Sequence, residues 1–259
     1  MTAGATGGPG SSQKREGTGS ASSRGSRRRT GDPLVFARGQ HLRARRTMVW
    51  AVALALLACV LAFVPLFDTL GFELAFAMAI AASFASADLG ATFVRRVRDA
   101  GGTVERSPGR LVLVMFLRAA AINLALLVPP LILISLNAVR VRTCAWGDGL
   151  LFYALLPGLS SMWATGVGMF AALCAGRHRK LSNALPHIIL IALVVIALWR
   201  FYSAPPVFSY SPLAGYFPGN LYDEQIDLAS PFFWARAHAG AWLLCTLAAV
   251  AALLDPATL

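Results

Sequence analysis

The sequence predicts an all-α membrane protein, a polytopic bundle of about six transmembrane helices that follows a disordered, basic N-terminal tail. Of its 259 residues, 57% are hydrophobic and 14% are charged, and the mean hydropathy is +0.62. A water-soluble domain of this size cannot bury that much apolar surface in one core. The chain also contains six apolar stretches. Each is close to the length of about 20 helical residues that crosses a hydrocarbon layer of about 30 Å.

Residues 1–46 have the composition of a disordered segment. They contain ten Lys and Arg residues against Glu16 and Asp32, many Gly, Ser and Thr residues, and no apolar periodicity. Such a chain buries too little apolar surface to offset the entropy lost on ordering. The tail is expected to bind anionic headgroups of the cytoplasmic leaflet, with each nearby charge contributing on the order of 1 kcal/mol. Nucleic-acid binding is not expected, because the tail lacks aromatic residues interleaved with its charges for base stacking.

The six predicted spans are residues 48–67, 72–94, 111–136, 150–173, 187–202 and 232–254. The fifth has only about 16 residues, so a re-entrant or interfacial segment is its alternative. Proline is expected to kink the third span at Pro129 and Pro130 and the fourth at Pro157, with the freed carbonyls satisfied by neighbouring groups. Rows of small residues on the second and fourth spans should allow close helix packing. These rows are Ser83, Ala87 and Ala91, and Gly168, Ala172 and Gly176.

The distribution of Lys and Arg predicts that both termini lie in the cytoplasm. With the tail inside, the segments on its side of the membrane carry 18 of the 23 Lys and Arg residues, and the outer connections carry only Arg140 and Arg142. Cytoplasmic connections of multi-pass proteins hold such an excess. An Ala- and Arg-rich composition without an organelle signal favours a bacterial inner (cytoplasmic) membrane. Met48 is an alternative start, and the chain could also be the membrane portion of a longer protein.

Ionisable side chains inside the spans are the first candidates for a functional role, because each costs a few kcal/mol at the bilayer centre. Asp88 and Arg118 lie about 9 and 10 Å from the same end of neighbouring helices, at 1.5 Å per residue. We therefore predict that they form an intramembrane ion pair, with snorkelling of Arg118 to the interface as the alternative. Glu73, Arg200 and Arg236 lie at the outer ends of their spans, where Glu73 could meet either arginine.

The most distinctive loop is the outer connection formed by residues 203–231. It has many aromatic residues, three acids and no Lys or Arg, which favours a segment that lies on or dips into the outer interface. Its candidate recognition residues are Tyr216, Tyr222, Asp223, Glu224 and Asp227. A short helix that starts at Leu221 would place Asp223 and Asp227 on one face. Binding of a hard cation is one interpretation, and a solvated acidic rim is the other.

No catalytic motif occurs in the sequence. HExxH, GxSxG, the P-loop and the Gly-rich dinucleotide turn are all absent from it. The four cysteines, Cys59, Cys144, Cys174 and Cys245, show no CxxC spacing, so neither a zinc site nor a disulfide framework is predicted. We therefore expect no enzyme activity, cofactor or metal.

The layout of this chain resembles that of ABC-2-type exporter permeases. It has six spans with both termini inside, a basic segment before the first helix, and a long aromatic connection between the fifth and sixth spans. The resemblance implies a homodimer or heterodimer driven by a separate cytoplasmic ATPase, which would dock on residues 95–110 and 176–183. It rests on layout and carries over no residue roles. The competing interpretation is a non-transporting anchor, assembly or sensor module whose outer connection or basic tail binds a partner.

Overall fold

A computed structural model describes residues 45–100, 107–141, 146–203, 211, 213 and 230–254 of the protein. Within these residues, the structure has eight α-helices. They are α1 (Arg45–Leu61), α2 (Phe72–Ala100), α3 (Pro108–Ala125), α4 (Val128–Asn137), α5 (Trp146–Tyr153), α6 (Leu159–Cys174), α7 (Arg179–Ser203) and α8 (Ser230–Leu253). The predicted all-α class is confirmed.

Five helical stretches of the described residues are long and apolar enough to cross a membrane. They are Phe72–Asp99, Pro108–Asn137, Trp146–Cys174, Arg179–Arg200 and Ser230–Leu253. Helix α1 has 17 residues, at the lower limit for a membrane-crossing helix. Its outward side is apolar, since Val52, Leu56 and Val60 are all more than half exposed. The chain is therefore a multi-pass helical membrane protein, as the sequence predicted.

The first and fifth spans differ most from the sequence prediction. We expected the fifth span to begin at His187 and to be the weakest, but α7 begins at Arg179 and runs through Pro186 for 25 residues. The first turns of α7 contain basic residues, so a search for apolar runs does not detect the start of the helix. The first span ends early instead, because α1 stops at Leu61 and turns follow it up to Phe72.

Proline interrupts the third and fourth spans, as predicted. The third is broken at Leu126 and Leu127, just before its proline pair. The Tyr153 hydroxyl donates a hydrogen bond of 2.9 Å to the Leu127 carbonyl, so a neighbouring span provides a partner at the break. In the fourth span, residues Ala154–Gly158 form a π-helical turn that contains Pro157, and such turns commonly disturb a helix at functional positions.

Helices α2 and α6 form the centre of the bundle. The apolar part of α2 is 72% buried, against 17% for α7 and 22% for α8. The two central helices pack very closely, because a Cβ added at Gly168 would lie 2.1 Å from the Ala87 carbonyl oxygen. A Cβ added at Gly90 would lie 2.6 Å from the Thr165 carbonyl oxygen. The predicted rows of small residues thus meet at Ala87 and Gly168.

Contacts between the helices define two ends of the bundle. At one end, Arg46 at the start of α1 bonds to both α2 and the start of α7. We call it the basic end, because most of the described Lys and Arg residues lie there: Arg45, Arg46, Arg95, Arg96, Arg98, Arg110, Arg177, Arg179 and Lys180. At the opposite end, α2, α5 and α8 meet through packed aromatic rings of Phe72, Phe152 and Phe232.

Candidate functional site

Uncharged polar side chains form a layer across the middle of the bundle. Ser86 of α2, Asn123 of α3 and Ser161 of α6 each lie about half-way along their spans. The Ser86 and Ser161 hydroxyls are hydrogen-bonded to each other. The Asn123 Nδ2 donates to the Thr165 hydroxyl at 2.8 Å and to the Ser86 carbonyl at 3.2 Å. We call Ser86, Asn123, Ser161 and Thr165 the polar layer.

The polar layer is buried and almost fully hydrogen-bonded. Its four residues are at most 2% exposed. The Thr165 hydroxyl donates to the Ser161 carbonyl at 2.8 Å, so the layer links three helices into one network. Within the described residues, the Asn123 Oδ1 is buried without a hydrogen-bond partner. An acceptor left in this state costs about 1–3 kcal/mol, and a donor from a bound polar molecule would remove that cost.

Reasoning from the sequence missed the polar layer because it searched the spans for ionisable residues. The available signals were Asn123 within an apolar run and the pair Ser160 and Ser161 four residues before Thr165. Uncharged polar residues are weaker signals than charges, because they also occur as ordinary hydrogen-bonding contacts between membrane helices.

A buried arginine lies beside the polar layer, toward the opposite end of the bundle. Arg236 of α8 is 3% exposed. Its Nη1 lies 3.4 Å from the Ser160 hydroxyl and its Nη2 lies 3.3 Å from the Ser211 carbonyl, so both contacts are long and reach uncharged oxygens. Its Nε is buried without a hydrogen-bond partner among the described residues. A charge held in this way costs several kcal/mol unless an anion compensates it.

The outer connection reaches into this site. The Ser160 hydroxyl donates to the Leu213 carbonyl at 2.6 Å, and Leu213 is fully buried in the hydrophobic core. Ser160 lies near the middle of the span Trp146–Cys174. Leu213, one of the few described residues of the connection, therefore lies at the level of Ser160. We call Arg236, Ser160 and the two carbonyls at Ser211 and Leu213 the Arg236 site.

Asp88 is bound by Arg46 and Trp50, and its pairing with Arg118 stays a prediction. Its Oδ1 accepts from Arg46 at 3.1 Å, and its Oδ2 accepts from the Trp50 indole at 3.0 Å. Asp88 therefore lies on the side of α2 that faces α1. Arg46, which composition assigns to the tail, also donates to Asn183 of α7 at 3.1 Å. This network fastens α1 to the rest of the bundle.

The other ionisable candidates do not form the expected pairs. Glu73 lies in the first turn of α2 and Arg200 in the last turn of α7. The two ion pairs formed between described residues both lie toward the basic end, so neither joins Glu73 to Arg200 or Arg236. The candidate recognition residues of the outer connection lie outside the described residues: Tyr216, Tyr222, Asp223, Glu224 and Asp227.

A comparison with known proteins finds no matching protein family, no matching curated protein and no matching solved structure. Within the described part of the chain, no group of three or more His, Cys, Asp or Glu residues is placed to hold a metal ion. Among the described residues, the polar layer and the Arg236 site are two buried places where polar groups lack a hydrogen-bond partner.

Proposed function

We propose that the protein is the membrane-spanning subunit of a transport system in a bacterial inner membrane. The observation that carries the proposal is the polar layer, which holds hydroxyl and amide groups at the middle of the bundle. Membrane transporters bind polar substrates near the bilayer midplane, where spans are discontinuous and backbone groups become available. Two of the three spans that supply the polar layer depart from a regular α-helix, one at Leu126 and Leu127 and the other at the π-helical turn Ala154–Gly158.

Both breaks lie close to residues of the polar layer. Asn123 is three residues before the break at Leu126, and Ser161 is three residues after Gly158, where the π turn ends. The two parts of a broken helix can move separately, and a few residues at the break absorb the change in backbone angles. A rearrangement at either break would therefore move Asn123 or Ser161 directly.

The orientation of the transporter follows from its charges. The basic end carries nine described Lys and Arg residues, whereas the opposite end carries Arg140 and Arg200. Since cytoplasmic segments hold the excess of Lys and Arg, the basic end faces the cytoplasm. The polar layer then lies half-way across the membrane, and the outer connection and the Arg236 site lie toward the periplasmic side.

The ABC-2-type layout supports the same class of function. A permease of this type would act as a homodimer or heterodimer, with a cytoplasmic ATPase docked on the connections at 95–110 and 176–183. Arg179 and Asp99 contact each other at 3.6 Å, so the described parts of these two connections are neighbours. Their described parts lie together at the basic end.

Cysteine accessibility in the polar layer tests the proposal. In a variant that lacks the native cysteines, Ser161→Cys in membrane vesicles should react with a small, water-soluble methanethiosulfonate, because a transport route admits water to this level. Ala164→Cys is the matched control, since Ala164 is fully buried in the apolar core of the same helix and should stay unreactive.

The competing function predicts the other outcome. A non-transporting anchor, assembly or sensor module needs no water at the middle of the bundle, so its polar layer would serve only as contacts between helices. Protection of both Ser161→Cys and Ala164→Cys, with and without ATP, would contradict the transport proposal and favour this module.

A further inference from the structure

Arg236 carries a charge that the described protein does not balance. The guanidinium lies about 9 Å inside the start of α8, at 1.5 Å per residue. Its partners there are the Ser160 hydroxyl and the Ser211 carbonyl, and both are neutral. No carboxylate of the described residues forms an ion pair with it, since both pairs between those residues lie toward the basic end.

The apolar surroundings of Arg236 raise the free-energy cost of leaving its charge unbalanced. On the same helix, Phe232 and Ala239 are buried on either side of it, and Phe232 packs edge to face on Phe152. Charges interact more strongly in such apolar, water-poor surroundings than at a surface. The site therefore disfavours an arginine alone and favours an arginine together with an anion.

The free part of the guanidinium is suited to a planar or tetrahedral oxyanion. Arginine binds carboxylates and phosphates through two parallel N–H bonds, and one edge that can do so consists of Nε and Nη2. In Arg236 the Nε is without a partner among the described residues, and the Nη2 bond to Ser211 is 3.3 Å long. An oxyanion at this edge would accept a hydrogen bond from Nε. It would also replace the long contact between Nη2 and the neutral Ser211 carbonyl.

We propose that Arg236 binds the carboxylate or phosphate of a ligand at the periplasmic side of the polar layer. The ligand class extends the proposed transport function, because it makes the substrate an anion, but anion binding itself does not require transport. A soluble anion and the headgroup of an anionic lipid both offer this chemistry.

Thermal unfolding of the full chain in a neutral detergent tests the site. The probes are inorganic phosphate, acetate and phosphatidylglycerol, at constant ionic strength, with phosphatidylcholine as the neutral lipid. At ten times its Kd, a probe should raise the Tm of the wild type by about 3 to 6 °C. Arg236→Met replaces the guanidinium with an unbranched, uncharged side chain that can still pack among apolar groups, and it should lose this response.

The identity of the active probe separates the two ligand sources. Stabilisation by phosphate or acetate would indicate a soluble anion, whereas stabilisation by phosphatidylglycerol but not by phosphatidylcholine would indicate a lipid headgroup. Arg200→Met removes an exposed arginine near the same end of the bundle and should keep the wild-type response. A wild type that responds to no probe, or an Arg236→Met variant that responds as well as the wild type, would overturn the proposal.

The Tm of Arg236→Met without any probe, compared with that of the wild type, is an independent test of the site. Removing an unbalanced buried charge should raise the Tm above that of the wild type, whereas removing one partner of an ion pair strands the other charge and lowers it. A lower Tm together with no probe response would assign Arg236 to an acid of the chain itself and overturn the ligand site. Because the readout is stability, this result stands apart from the reactivity of Ser161→Cys.

Discussion

Asp88 and Arg236 are both ionisable residues inside spans, but they differ in whether the described residues around them balance their charge. Asp88 receives hydrogen bonds from two donors, Arg46 and Trp50, and its charge is balanced within the chain. Arg236 is more deeply buried, and among the described residues it meets only neutral oxygens. The position of an ionisable residue within a span therefore does not indicate function by itself, and the balance of its charge is the better criterion.

Removal of the Asp88 carboxylate should weaken the attachment of α1. Asp88→Ala leaves the Trp50 indole and the Arg46 guanidinium without their acceptor, which should cost about 1–3 kcal/mol of stability. Arg46→Ala should cost less, about 1 kcal/mol or below, because its side chain is 46% exposed and solvent screens it. Denaturation of the purified variants in detergent measures both changes.

The matched control for Asp88 is Asp99, whose side chain is 63% exposed and pairs at 3.6 Å with Arg179, which is 82% exposed. Asp99→Ala should be close to neutral, because exposed ion pairs contribute little. If Asp99→Ala destabilised the protein as much as Asp88→Ala, the structural role assigned to Asp88 would be wrong.

The partner of Asp88 could not be predicted from the sequence, although its need for a partner could. Depth in the membrane follows from counting residues along a helix. The partner depends on the rotation of α2 and on the start of α1, and Arg46 looked like part of the tail because the basic run ends there. Asn123 was visible as a polar residue in an apolar run, but its partners come from two other helices.

At the scale of helices, the close contact between the two central helices depends on glycine. Gly168 lets α6 approach the backbone of α2 at Ala87, and this contact lies about two turns from Ser161, between the polar layer and the basic end. The approach brings the hydroxyls of Ser86 and Ser161 within hydrogen-bonding distance. The geometry of the polar layer therefore depends on the small residues beside it.

Alanine at Gly168 should separate the two central helices. Its Cβ would lie 2.1 Å from a backbone oxygen, so a helix has to move, and overpacking of this kind costs about 1–3 kcal/mol or more. Gly240→Ala in α8 is the matched control, because nothing lies within 4 Å of the added Cβ. Alanine there should stabilise the helix by about 0.5–1 kcal/mol. Thermal unfolding should give opposite signs for the two variants, and equal shifts would contradict the close packing.

The spans were predictable from the sequence, but some of their ends were not. Hydropathy reports how apolar a segment is, whereas hydrogen bonds and contacts decide where a helix stops. After α1, for example, the Asn137 Nδ2 donates to the Asp68 carbonyl at 2.6 Å and holds the turn before α2. The start of α7 at Arg179 was missed for the converse reason, because a helix can extend beyond the apolar layer on charged residues.

At the scale of the whole molecule, charge and polarity change along the axis of the bundle. The basic end carries most of the described cations, the middle carries the polar layer, and the Arg236 site lies between that layer and the opposite end. If the transport proposal holds, its route would run along this order, from the basic end toward the proposed anion site at Arg236. The composition predicted the asymmetry of charge, and the fold adds the two interior sites.

Labelling of two single cysteines in intact cells tests this arrangement most directly. In a background without native cysteines, Val139→Cys lies at the opposite end, where Val139 is 92% exposed. Lys180→Cys lies on the exposed first turn of α7 at the basic end. A membrane-impermeant maleimide should label Val139→Cys in intact cells, and should label Lys180→Cys only after the membrane is permeabilised. The reverse pattern, or labelling of both variants in intact cells, would contradict a bundle that crosses the membrane with its basic end in the cytoplasm.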